Sequence, residues 1–208
     1  MGTKKATSDQ FRACRQLVHD DAFQAQITLH MVEPLLGNKI DELRLEYLRA
    51  AGLFFRRALS RDLALVLCRL LDKPNDRGST GVTASISSLL GMARSEGVLA
   101  EVKFHNLTTA LDKIKKEGAN REYDLVHALR DLRNIQIAHS LIPYQDLTEQ
   151  IWALHLLEFA EALFGFVADL EMLLTEATGV ALSDLRRSAS SFERNANEFW
   201  GALRSMKK

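Results

Sequence analysis

Apolar residues along this chain recur at three- and four-residue intervals almost throughout. Alternation of period two, bounded by turn dipeptides, is absent, so the pattern predicts an all-α helical bundle with no sheet. The three prolines, Pro34, Pro74 and Pro143, each stand where a helical pattern stops. A first helix is expected from a Ser8 N-cap through Phe11, Cys14, Leu17 and Val18 to near Val32. A second should begin after Asn38 and run to Asp72. Its apolar face is Leu48, Leu53, Phe55, Leu59, Leu63, Val66, Leu67 and Leu70, with a bend near Gly52.

Residues Lys73–Gly81 read as a polar loop. A short helix follows, capped by Thr83 or Ser85, with Ile86, Leu89, Leu90 and Met92 inward. Two more are expected over about Val98–Lys116, ending at Gly118, and about Arg121–Ala138. Asp146 or Thr148 can cap a strongly apolar helix ending near Gly179. A more polar helix then runs from Ser183 to about Met206, with Leu185, Phe192, Phe199, Trp200 and Leu203 as its stripe, packed on the bundle or on a second subunit.

At 208 residues the chain is expected to form a single all-α domain over 1–208 and to need no metal or disulfide staple. Cys14 and Cys68 lack a C-x-x-C partner and read as buried thiols of a reducing compartment. Residues Met1–Ser8 carry lysines but no apolar core of a secretory signal. The most apolar stretch, Ile151–Leu174, is interrupted by Glu158, Glu161, Asp169 and Glu171, which a membrane span would not tolerate. A soluble, cytoplasmic protein is expected. A net charge of +0 argues against a broad nonspecific nucleic-acid binder and leaves room for a local basic site.

Many chemistries lack their residues. There is no H-E-x-x-H pair, Gly-rich phosphate loop or G-x-S-x-G elbow. The six histidines are scattered, and the carboxylates Glu158, Glu161 and Asp169 share their helix with no Glu-x-x-His, so neither a metal nor a cofactor is expected. What remains is Arg133-Asn134, four residues, then His139, at a predicted helix C-terminus. Arg12 with His19 and Arg121 with His127 satisfy a similar spacing, but neither has Asn after the arginine nor ends its helix at the histidine.

With that motif the chain resembles the HEPN superfamily, whose nuclease members carry Arg, four to six residues, then His. Leu132–Ser140 (LRNIQIAHS) and the stretch Ala58–Leu63 leading to Cys68–Asp72 are similar to its abortive-infection branch, as is the short helix bearing Ser87-Ser88-Leu89-Leu90. The resemblance covers roughly Ala50–Leu170. It implies a homodimeric, metal-independent endoribonuclease, acting as a toxin or phage-defence effector, with RNA as substrate and an antitoxin or regulatory protein as a further partner. The alternative is a noncatalytic RNA-binding or protein-interaction scaffold, with Arg133 buried and His139 a helix cap. HEPN toxins silenced by AMP addition often carry Tyr two residues after the His. Leu141 stands there, and Tyr144 comes three residues later, so that regulation is not expected.

The residue types suit RNA cleavage without a metal. Histidine titrates near neutral pH and can take or give the protons of the 2′-hydroxyl attack. A forked guanidinium at position 133 can stabilise the charged phosphorane. Asn134 can hydrogen-bond the phosphate or orient the imidazole. Six residues of ideal helix separate Arg133 and His139 by about 120° around the axis, and by about 9 Å along it. Either the last turn unwinds or a second subunit completes the site. Elsewhere, Arg56-Arg57 and Arg186-Arg187 read as solvated faces, His127 as a helix-surface or half-buried histidine, and Trp152, Phe159, Phe164 and Phe166 as core or dimer surface.

Overall fold

A computed structural model describes residues 7–36, 40–43, 45–72, 84–119, 124–138 and 149–206; the side chains of residues 132–154 lie outside that description. The described residues form seven α-helices and no strand: α1 (Asp9–Val32), α2 (Glu46–Leu71), α3 (Ile86–Ser95), α4 (Glu101–Ala119), α5 (Leu125–Ala138), α6 (Glu149–Thr178) and α7 (Leu185–Ser205). The all-α expectation holds.

Helix starts follow local capping. Ser8 accepts a hydrogen bond from the Phe11 amide at 3.1 Å, and Ser85 accepts one from Ser88 at 3.2 Å. The last helix begins at Leu185 rather than Ser183, capped by Asp184, which accepts from the Arg187 amide at 3.1 Å. Gly97 and Gly179 take φ of 64° and 73°, the left-handed conformation that lets the chain leave α3 and α6 without a Cβ clash. Thr83, Asp146 and Thr148 lie outside the described residues.

Helix α1 packs on α2, α3, α6 and α7. Its inward side, Phe11, Cys14, Val18, Ala22, Ala25 and Leu29, is fully buried with Leu63, Leu67 and Leu70 of α2 and Leu163, Leu170 and Leu174 of α6. Leu17, expected on this face, is 53% exposed. A 3-10 turn, Glu33–Leu35, follows α1, and Trp200 of α7 seats there, donating from its indole Nε1 to the Met31 carbonyl at 3.1 Å. The last helix thus packs on its own bundle.

Two expected helix bounds are corrected, and a glycine takes part in each. The second helix starts at Glu46 rather than after Asn38, because Ile40–Leu43 turns back onto it. A Cβ on Gly52 would meet Ile40 Cγ1 and Leu43 Cδ1, both at 3.1 Å, so this glycine admits the fold-back. Gly118 does not stop α4, which continues to Ala119. A Cβ there would come within 2.8 Å of the Phe159 ring, so Gly118 opens a seat for α6 inside the last turn of α4.

Candidate functional site

Helix α5 carries the first two motif residues. Asp124 starts it, accepting from the His127 amide at 2.9 Å. Leu125, Val126 and Leu129 turn inward, and α5 lies against α2 and α4. The buried Cys68 thiol of α2 donates to the Leu129 carbonyl at 2.9 Å. In an α-helix that carbonyl also receives the backbone N–H four residues on, that of Arg133. Cys68 therefore pins the turn on which Arg133 stands. Arg133 and Asn134 have helical backbone; their side chains, and all of His139, lie outside the described residues. The described helix runs to Ala138, the residue before His139.

The competing arginine–histidine pairs resolve differently. Arg12 is exposed and pairs with Asp9, whereas His19 is buried and its Nε2 lies 3.0 Å from the Ser183 carbonyl. Those two side chains serve opposite environments, one in water and one in the α1–α7 contact. His127 is 70% exposed and lies 3.3 Å from Asp131 one turn on, the expected surface histidine; Arg121 lies outside the described residues.

Three further titratable groups named by the sequence or perturbed by their surroundings lie elsewhere in the bundle. Burial pushes the Cys14 thiol up, against a hydrogen bond from the Ser85 backbone, which keeps it protonated and unreactive. Asp169 is an exposed partner of Arg186 at 2.5 Å. Partial burial raises the Glu161 carboxyl, with Glu33 and Glu158 adding repulsion. Phe159 and Phe166 are core residues, as expected. Among the described residues no group of three or more His, Cys, Asp or Glu is placed to hold a metal ion, and no helix is long and apolar enough to cross a membrane.

Two polar constellations escaped the sequence. The guanidinium of Arg15 is buried and places Nη2 2.8 Å from Glu171 Oε2 and 2.9 Å from Thr175 Oγ1. Its Nη1 donates to Thr178 Oγ1 and the Val180 carbonyl, which ties α1 to the end of α6. A carboxylate inside the apolar stretch Ile151–Leu174 was the one available signal. The second is His30, whose Nε2 lies 2.6 Å from Gln26 Nε2. Burial pushes its imidazole down, opposed by Glu193 and Glu33.

A family model of HEPN domains, described as AbiU2, matches residues 32–199. The chain belongs to the AbiU2 family. The match is wider than the Ala50–Leu170 resemblance: it takes in the 3-10 turn and most of α7, so the last helix is part of the AbiU2 domain. Helix α1 precedes the matched segment apart from Val32, yet packs against four of the AbiU2 helices. Arg133, Asn134 and His139 all fall within residues 32–199. No curated protein and no solved structure matches the chain.

Proposed function

We propose that this AbiU2-family protein is a cytoplasmic, homodimeric, metal-independent endoribonuclease of abortive-infection type. The observation that carries this is the Arg133-Asn134-x4-His139 motif, whose first two residues lie on α5, inside the segment matched by the HEPN family model. The ribose 2′-oxygen attacks the adjacent phosphorus as its proton leaves, and the P–O5′ bond breaks as the 5′-oxygen gains one. The fragments carry 2′,3′-cyclic phosphate and 5′-hydroxyl ends. His139 handles a proton of this exchange, Arg133 holds the phosphorane charge in a bidentate fork, and Asn134 orients phosphate or imidazole. The 120° between positions 133 and 139 on a helix is met by a second copy, whose motif faces the first across a two-fold axis.

The test is cleavage of total RNA in EDTA by wild type, Arg133→Ala and His139→Ala. Each variant should stay folded and lose roughly a hundredfold or more in rate. Arg121→Ala with His127→Ala has similar spacing without the context and should stay active. If that control abolished cleavage while the Arg133 and His139 variants kept it, the motif would be misassigned.

A further inference from the structure

Helix α2 is longer than α5, which covers one part of it. Its 26 residues span roughly 39 Å, and the 14 residues of α5 roughly 21 Å. Ala50, Leu53, Arg57, Ser60, Ala64, Leu67 and Leu71 form one stripe along α2 at alternating steps of three and four, with Tyr47 and Phe54 beside its N-terminal end. In the C-terminal half Ala64, Leu67 and Leu71 are buried, and Cys68 beside them touches α5. In the N-terminal half the same stripe is bare. Ala50 is exposed, Leu53 is 39% exposed, and the neighbouring Phe54 and Tyr47 are 69% and 63% exposed. Phe55, at 48%, stands at the edge with its ring against Phe54. Among the described residues, the seat that α5 occupies thus continues along α2 as an exposed face.

We infer that this bare stripe, centred on Tyr47, Ala50, Leu53 and Phe54, is the surface on which a second copy of the chain docks. The inference rests on the homodimer proposed above and adds its interface. Tyr47, Leu53, Phe54 and Phe55 together leave roughly 400 Å² of apolar side chain in water. That is about half of the ~800 Å² that each partner contributes to a standard interface, and it supplies the apolar centre such an interface needs. Because α5 packs on α2, an isologous contact through α2 sets the second copy on the helix that supports the motif-bearing α5. The exposed Tyr47, Leu53 and Phe54 offer the apolar centre that another helix can cover.

Light scattering of the full chain, from 1 to 100 µM on the ~µM scale typical of such interfaces, is the first measurement. Wild type should weigh twice the 23.4 kDa of one chain. Tyr47→Glu with Phe54→Glu should weaken dimerisation roughly a hundredfold or more, the scale of a central aromatic pair. Its helical circular dichroism should be unchanged, because both side chains point into solvent. Val102→Glu on α4, at 72% exposure, should stay dimeric. Amide exchange in residues 46–60 of wild type should slow as concentration rises, a readout independent of any variant.

A monomer throughout the range, or a Glu variant that stays dimeric, overturns the assignment. So does a Glu variant that stays dimeric and instead loses binding to a single-stranded RNA 20-mer (about two OB-fold site lengths), since the face would then belong to RNA. None of these measurements reads cleavage. A dimer through α2 that cuts no RNA would retain the interface and remove the nuclease; an active enzyme whose Glu variant stays dimeric would do the reverse.

Discussion

Replacing Glu171 by leucine should be among the most destabilising single changes in this protein. Its carboxylate and the Arg15 guanidinium are 9% and 4% exposed and lie 2.8 Å apart. Without Glu171, the guanidinium keeps only neutral acceptors, Thr175 Oγ1 at 2.9 Å, Thr178 Oγ1 at 3.3 Å and the Val180 carbonyl at 3.0 Å. Its charge would then be buried without a counter-charge, which costs about 3–5 kcal/mol. Glu171→Gln keeps an acceptor and should cost less. Arg15→Met with Glu171→Leu removes both charges at similar volume and should cost less than either single change, because Thr178 retains its bond to the Leu174 carbonyl at 2.7 Å. Urea unfolding followed by circular dichroism, with a constant m-value, gives all four corners of the cycle. A Glu171→Leu loss below about 1 kcal/mol, or a coupling near zero, would show that the pair is water-accessible and that burial was misjudged.

Gly118→Ala gains about 1 kcal/mol of helix propensity but drives a methyl into the Phe159 ring at 2.8 Å, so a net loss of about 1 kcal/mol is expected from overpacking of about 2 kcal/mol; a stabilised variant in thermal melts would mean that the ring moves freely. Because burial lowers the His30 pKa, the unfolded chain binds the proton more readily. Its share of stability is therefore complete above the unfolded value of about 6.5 and is lost as pH falls through the folded one. His30→Gln should flatten the dependence of melting temperature on pH below neutrality, and an unchanged slope would assign it to other groups. In RNA cleavage, Arg133→Lys should recover only part of the activity lost in Arg133→Ala, because ammonium lacks the planar fork. Asn134→Ala should lose less than His139→Ala, and an equal loss would give Asn134 more than an orienting role.

Local interactions were legible in the sequence. Helix class, the Ser8 and Ser85 caps and the end at Gly179 depend on residues three or four positions apart, and these appear where the pattern places them. The proposed motif rests likewise on residue types at a spacing, and the angle between positions 133 and 139 follows from ideal helix geometry alone. The three-dimensional packing decided the rest. Arg15 and Glu171 are 156 residues apart, and nothing in either neighbourhood names the other. Gly118 reads as a helix stop until Phe159 is seen to occupy the space above it. Leu53 and Phe55 continue the apolar pattern of Leu63, Val66 and Leu67, yet the first two meet water and the last three are buried. Periodicity records which face of a helix is apolar; what covers that face depends on the lengths and positions of the helices packed beside it.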